Sequence, residues 1–534
     1  MTSESGSRTT AALLAEYLRL CGIKHVYGYP GESVVEFMDA AQAAGLNVVS
    51  AVREASAAFM AEGSAAATGT IAACLSTLGP GSTALLNGVA SATLDRVPVL
   101  AISGQVETAR EQYFTHQVVD HDRLFAPVTK LAARLEAEAA DTIIRRAIRT
   151  ATAERPGVVH LTVATDAWAR EAVEAAPVPF GSPFFASDIH GDPVTGLSKA
   201  RRPVLLAGNA AVRCGASAAL ETLAETAGIP VVVSPMAKGV LREDHPWFAG
   251  VLDMAGLRVI WDLLASADLI IAAGFDPVEL ISPWQVATPV LHVDTTPNTD
   301  QVYRSDHEIV GNVAAALAWL AGQWQGGQRW TTAEVAAHMQ ALRAAWQDGY
   351  VPGKLNPSEV VTTVRAAAPG GTVMTTDVGS HKIMAGQAWA ADVPRSVLMS
   401  NGLSAMGFGI PAAIAASLDR PGTPVVALTG DGGFAMTATE LSVAAASGLP
   451  LTVVVFADGS LNRIELKQAT MGLAPTGTRV AVTDIPALAE ALGCDGVRVD
   501  SVAALEKAVE VSPARGRPLV IEARIDPAQY FAQF

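Results

Sequence analysis

Between residues 48 and 522 the chain alternates short apolar, β-branched runs with Ala-rich stretches of helical period. Few patterns restrict a fold as tightly. A run that is apolar at every position, not at every second one, has to be covered on both faces. Strands of that kind separated by helices form parallel sheets whose crossovers pack helices above and below. Residues 48–52, 74–76, 97–102 and 158–161 read as strands of a first block, with a helix over 55–67. Residues 203–208, 229–233, 269–274 and 291–294 read as strands of a second, closed by a helix over 313–320. A third opens with a helix over 358–367 and has strands at 372–376, 425–428, 451–456 and 519–522. A Pro/Gly-rich stretch, 175–193, separates the first two blocks. A mixed polar stretch with some helix, 324–356, separates the last two. The expected architecture is α/β, with three doubly wound parallel-sheet domains at 1–175, 190–325 and 355–534, the outer two alike and the middle one different.

Composition narrows the function. Half of the 534 residues are hydrophobic and 17% are charged, enough apolar material for large cores. A formal net charge of −15 argues against nucleic acid and against a membrane surface as partner, while leaving room for a locally positive anion site. Cysteines 21, 74, 214 and 494 lie far apart, with no C-x-x-C pair, which argues against a disulfide frame or a zinc site. The N-terminal stretch is polar, then amphipathic, without a basic segment leading into an apolar one. No apolar run approaches the ~20 residues of a membrane span. The expectation is a cytoplasmic chain.

The most informative segment follows the third-block strand 425–428. It reads Thr429-Gly430-Asp431-Gly432-Gly433-Phe434, with a helix expected from about 437 to 446. The next strand, 451–456, delivers Ala457-Asp458-Gly459-Ser460. Glycines after a strand let the backbone approach a phosphate, and the amides at the following helix start point at it. A bare Gly-Asp-Gly-Gly is more often a turn. Here a second aspartate stands 27 residues on, and each aspartate follows a strand. Both carboxylates then end adjacent strands and face one crevice. With a main-chain carbonyl and diphosphate oxygens they make an oxygen-rich site suited to Mg²⁺.

In this motif and along nearly its whole length the chain resembles the thiamine diphosphate enzymes, and among them the acetolactate synthases, above all the catabolic, flavin-free branch. The resemblance is carried by His25-Val26-Tyr27-Gly28-Tyr29-Pro30-Gly31, Arg53-Glu54-Ala55 with Ala58-Phe59-Met60, and Leu78-Gly79-Pro80-Gly81. It continues through Thr115-His116-Gln117 with Pro127-Val128-Thr129-Lys130, Gly274-Phe275-Asp276-Pro277, Asp377-Val378-Gly379-Ser380-His381, and Ser400-Asn401-Gly402 with Met406-Gly407-Phe408-Gly409.

The resemblance implies a role for each of these positions. Thiamine diphosphate and Mg²⁺ are the cofactors. Asp431, Asp458 and the Ser460 carbonyl are the metal ligands, with Asp458 where the family usually has Asn. Gly379, Ser380, His381, Gly432 and Gly433 hold the diphosphate. Glu54 is the catalytic carboxylate that hydrogen-bonds N1′ of the aminopyrimidine and relays the proton that activates the thiazolium. The plain alternative for Glu54 is a helix-end or surface ion-pair residue. Met406 is the apolar wedge that bends the cofactor, or else a core side chain, and the Ser404 carbonyl accepts from the 4′-amino group. Gln117 is a substrate-side catalytic glutamine, or part of a buried polar network, with His116 beside it. In the central block Gly208-Asn209-Ala210 is too thin for a dinucleotide fingerprint. The segment from Gly274 to Glu279 looks like the flavin-free branch, so this domain reads as structural and the purified protein as colourless.

The resemblance also implies active sites shared between the first domain of one chain and the third of its partner, in a homodimer or homotetramer. The expected reaction is decarboxylation of a 2-oxo acid such as pyruvate and transfer of the remainder to a second carbonyl compound. The alternatives are a carboxyethylarginine-synthase-like transferase, a simple 2-oxo acid decarboxylase, or a non-catalytic homologue, the last opposed by the intact Glu54, Asp431 and Asp458. The chain departs from its family in three places. Glu32 follows Gly31 where a second small residue is usual, Arg463 replaces an apolar pocket residue, and Lys467 replaces a Trp of the anabolic branch. Charges beside a partly buried cofactor need partners. Either Glu32 and Arg463 pair with each other, or Arg463 holds a substrate carboxylate, phosphonate or sulfonate and Glu32 engages a cationic or hydroxylated acceptor.

Overall fold

The computed structural model describes residues 8–173, 177, 188–324, 329–481, 483–511 and 514–533. Three sheets account for the strands. The first contains β1 (His25–Gly28), β2 (Asn47–Ser50), β3 (Ala72–Ser76), β4 (Val99–Gln105), β5 (Leu131–Arg134) and β6 (Val158–Ala164), in the order β2-β1-β3-β4-β6-β5. The second contains β7 (Asp188–His190), β8 (Pro203–Ala207), β9 (Val231–Val233), β10 (Phe248–Val251), β11 (Leu269–Ala273), β12 (Val290–Asp294) and β13 (Ser305–Val310), ordered β10-β9-β8-β11-β12-β13-β7. The third contains β14 (Val373–Thr376), β15 (Val397–Met399), β16 (Val425–Gly430), β17 (Leu451–Ala457), β18 (Asp495–Val499) and β19 (Leu519–Arg524), ordered β15-β14-β16-β17-β19-β18. Counted from their own first strands, the first and third sheets have the same order. Every pairing in these two is parallel, and the second departs from parallel only at β7–β13.

Each sheet has a point where the winding reverses, between β1 and β3, between β8 and β11, and between β14 and β16. Crevices open there at the carboxyl ends of the strands, because consecutive crossovers leave in opposite directions. Of the strands flanking these points, β8 and β11 are buried at every residue, which is why they read as unbroken apolar runs.

The chain divides into two compact units. One holds the first sheet together with residues 402–421 and 437–447; the other holds the second and third sheets. In the first unit the helix Glu54–Thr68 packs against Pro80–Leu94 and Gly409–Asp419 through small residues. A Cβ on Gly63 would stand 2.6 Å from Ala412 Cα, and one on Gly88 would stand 2.4 Å from Ala58 Cβ, so only glycine permits these close approaches.

Two expectations about linkers need correction. Most of 175–193 lies outside the described residues, but Asp188–His190 within it forms β7, paired antiparallel with β13. Three exposed residues have no apolar run by which to recognise them. The stretch 324–356 contains a 15-residue helix, Thr332–Trp346, started by a Thr331/Glu334 capping box. Its Val335, Leu342 and Trp346 are buried in the core of the second unit. Those three positions make one helical stripe in an otherwise Ala-rich, polar segment, too narrow to stand out from the sequence. Among the described residues no helix is long and apolar enough to cross a membrane, and the four cysteines form no disulfide.

Candidate active site

The reversal point of the third sheet is built from carboxylates and glycines. β16 ends at Gly430, and the helix Asp431–Thr437 begins at once, followed by a 3₁₀ turn, Ala438–Glu440, and the helix Leu441–Ala446. The expected loop before a helix at 437 is therefore a helical turn, with Gly432 and Gly433 inside it. Tertiary contacts override the poor helix propensity of glycine here. A Cβ on Gly433 would stand 2.2 Å from Asp377 Oδ2, so the helix can lie against the end of β14 only without a side chain.

Asp431 anchors the turn. Its Oδ1 accepts the Gly432 amide at 2.8 Å, and its Oδ2 accepts the amides of Gly459 at 2.7 Å and Asp458 at 3.2 Å. Asp458 Oδ1 accepts the Ser460 amide at 3.0 Å. Burial raises the Asp431 carboxyl above its usual range against these donors. Burial, and then the charge of Asp431, push Asp458 up to about 7. Two facing carboxylates whose mutual repulsion favours a proton are a site that a divalent cation would stabilise. The Ser460 hydroxyl is buried without a hydrogen-bond partner among the described residues. Oxygen donors on two adjacent strand ends, beside a helix start, fit a Mg²⁺-bound diphosphate.

Across the crevice, Gly379 precedes the helix Ser380–Ala388. His381 is 4% exposed and stacks on Phe456 at 5.4 Å, and burial pulls it down to about 3, so the ring is neutral. Its Nε2 is buried without a partner among the described residues. The Ser380 hydroxyl donates to Asn462 Oδ1 at 2.9 Å. Asn462 and Tyr530 join this group without any signal in the sequence, and Asp377, which opens the segment ending at His381, joins it without an expected role. The phenol of Tyr530 is raised far above its usual range by burial and then by the charges of Asp458 and Asp431. Arg463 is half-buried on the helix Asn462–Thr470, and its Nη2 donates to Met254 Sδ at 3.3 Å. Lys467 on the same helix is exposed.

The first unit gathers a second set around the ends of β1 and β3. Glu54 is the first residue of its helix. A Cβ on Gly81 would stand 3.2 Å from Glu54 Oε1 and 2.8 Å from Thr77 Cγ2. One on Gly31 would stand 2.5 Å from Thr77 Cβ, and one on Gly79 would stand 2.6 Å from the Gln117 carbonyl. Thr77 also bonds the Ser33 hydroxyl at 3.0 Å. The quoted Pro30-Gly31 and Gly79-Pro80-Gly81 segments are thus one packing unit that brings Glu54, Gly31 and Gln117 together. Gln117 has φ 61° and is exposed, as is His116 beside it, so neither belongs to a buried polar network within the unit. Glu32 is exposed in the 3₁₀ turn Glu32–Val34. Residues 402–407 belong to this unit too. The Gly402 amide donates to Asp95 Oδ1 at 2.5 Å, Ser404 is exposed with φ 53°, and Met406 is half-buried, outside the core.

The central sheet's reversal point is closed. Glu279 is 1% exposed, and both its oxygens accept the Asn209 amide at 3.0 Å. Oε1 also accepts the Asp276 amide at 2.8 Å, and the Ser234 hydroxyl donates to Oε2. Burial raises this carboxyl to about 8 against those donors.

Comparison with known proteins defines the class first. The chain matches the thiamine pyrophosphate enzyme profiles for the N-terminal TPP binding domain over residues 8–124, the central domain over 194–320 and the C-terminal TPP binding domain over 377–523. It is 31% identical to an acetolactate synthase of Mycobacterium bovis, over 92% of this chain and 84% of that protein. It is 30% identical to acetolactate synthase isozyme 1 large subunit of Escherichia coli, over 88% and 85% of the two chains. It is 29% identical to a "Probable acetolactate synthase large subunit" of Methanocaldococcus jannaschii, over 97% and 92%. The chain belongs to the acetolactate synthase family of thiamine pyrophosphate enzymes.

Proposed function

We propose that this chain binds thiamine diphosphate through Mg²⁺, decarboxylates a 2-oxo acid and transfers the remaining fragment to a second carbonyl compound, as a transferase/lyase of the acetolactate-synthase type. The observation that carries the reading is the facing pair Asp431 and Asp458 beside the helix-start amides of Gly432 and Gly433. When bound, the cofactor supplies a nucleophilic carbon and a sink for the electrons released with carbon dioxide. The chain holds and orients it. Asp431, Asp458 and Ser460 hold the metal; Gly379, Ser380 and His381 hold the diphosphate. Ser404 and Met406 set the pyrimidine, and Glu54 moves the proton at its N1′. Gln117 and His116 face the substrate. Glu54 and Asp431 act from different subunits of a cytoplasmic homodimer or homotetramer.

Glu54→Gln tests this directly. Calorimetry should show thiamine diphosphate bound within about threefold of wild type, while turnover falls by ~100-fold or more, the scale of a lost acid–base relay. Unchanged turnover overturns the role of Glu54.

A second reading, a charged substrate in place of plain pyruvate, is favoured by Arg463. A half-buried guanidinium whose pKa burial lowers, with thioether sulfur as one acceptor, is suited to a bidentate bond to a carboxylate, phosphonate or sulfonate. Arg463→Met should then damage use of the true substrate about tenfold or more while leaving pyruvate turnover within about twofold. Ordinary acetolactate formation from pyruvate, equal in both proteins, leaves the plain synthase reading standing.

A further inference from the structure

The helix that carries Glu54 begins without a cap of its own. Arg53 at its N-cap is extended, φ −141° and ψ 148°, and its side chain bonds none of the helix amides. A carboxylate from far along the chain does the holding. Glu440 Oε2 accepts the Val52 amide at 2.9 Å, and Oε1 accepts the Arg53 amide at 3.2 Å. The Ser56 hydroxyl bonds the same carboxylate. Glu440 is 1% exposed and closes the 3₁₀ turn Ala438–Glu440. An anion at a helix start is favoured by the helix dipole and by the unpaired amides there.

We propose that Glu440 is a positioning residue for Glu54, clamping the two peptide N–H groups immediately before it and so setting the direction in which the Glu54 carboxylate leaves the helix. The proposal rests on the reading of Glu54 as the proton-moving residue. The space available to that carboxylate is narrow, because Gly81 lies directly against Oε1. A small rotation of residues 52 and 53 would swing it along that wall. Misplacement of a reacting group by about 1 Å lowers rates by up to ~100-fold. No other side chain reproduces the clamp. Glutamine offers one acceptor oxygen and turns an NH₂ group toward a peptide N–H, and aspartate is one methylene short.

The test compares Glu440→Gln, Glu54→Gln and the double variant. In the cofactor-free protein, deuterium uptake by a peptide covering residues 48–60 should be about tenfold faster in Glu440→Gln, because one of the two clamped amides loses its acceptor and the clamp loosens. In the holoenzyme, hydrogen–deuterium exchange at the thiamine C2 position and kcat should both fall about 10- to 50-fold. Cofactor affinity and KM should stay within about threefold of wild type. The double variant should be no slower than Glu54→Gln, since both changes remove one function. Full activity in Glu54→Gln overturns the role of Glu54. An inactive Glu54→Gln beside a fully active Glu440→Gln, or losses that multiply in the double variant, overturns the clamp alone. Should Glu440→Gln not fold, Ser56→Ala carries the same test, with an expected threefold loss in C2 exchange; no loss overturns the proposal.

Discussion

Two glycine turns in the same unit, Gly208-Asn209 after β8 and Gly430–Gly433 after β16, have the same place in their sheets and opposite fates. Each follows a strand at a reversal point, and each opens a helix. In the central sheet the Asn209 amide meets Glu279, and a Cβ on Gly208 would stand 2.5 Å from its Oε1. The chain has put its own oxygens where a ligand's oxygens would go. In the third sheet the local carboxylates repel one another, and the Ser460 hydroxyl has no hydrogen-bond partner among the described residues. Glycine after a strand is therefore no evidence of a binding site by itself. What differs is the charge around the turn: one carboxylate closes the central turn, whereas two repelling carboxylates stand at the third.

The sharpest way to break this contrast is to remove one acid from each turn. If the proposed metal site is right, Asp431→Ala should weaken Mg²⁺-dependent thiamine diphosphate binding by ~100-fold or more, because a ligand and its charge would be lost. Glu279→Ala should leave that affinity within about threefold. Calorimetry on both variants decides it, and equal losses would dissolve the distinction.

The difference in what was legible follows the same line. Asp431 and Asp458 stand out because each follows a strand that is almost wholly apolar. Glu279 was quoted only as part of a flavin-free pattern, and its contact with Asn209 spans 70 residues with no periodic signal. The Ser380–Asn462 bond spans 82 residues and the Glu440–Val52 bond 388. Such pairs are made by the fold and leave no trace in local spacing. Interior strands were readable for the same reason that edge strands such as β18, mostly half-buried and polar, were not. The helical start at Asp431 was missed because propensity argues against two glycines in a first turn, and only the approach to Asp377 explains them.

In acidity the two turns are alike, each holding a carboxyl raised by burial, Glu279 to about 8 and Asp458 to about 7. The folded pKa of Asp458 is raised from 3.8 to about 7, so the folded, cofactor-free protein keeps a proton that the unfolded chain releases. Its stabilising contribution is complete below about pH 4 and is lost as pH rises through 7, on the order of 2 kcal/mol between pH 5 and 7. Thermal unfolding of the cofactor-free protein should show this decline, and Asp458→Asn should make it shallower, with Glu279 still contributing. A slope identical in both proteins rules out Asp458 as its source.

The smallest expected effect is on Glu279→Gln. An amide NH₂ would face donors that now meet an acceptor, at a cost of about 1–2 kcal/mol in stability with cofactor affinity unchanged. Denaturant titration measures it, and a neutral substitution would mean that Glu279 does not fill its turn.

The first unit is stitched from three separate stretches of chain, the last ending at residue 447. During synthesis the ribosome delivers its sheet long before the helix Gly409–Asp419 that covers Glu54–Thr68, or the glutamate that holds that helix's start. The small-residue face around Gly63 therefore waits, uncovered, through the making of more than two hundred further residues. Nascent chains halted before residue 409 should be the species most dependent on chaperones, and the N-terminal domain cut out at its apparent boundary should aggregate rather than fold.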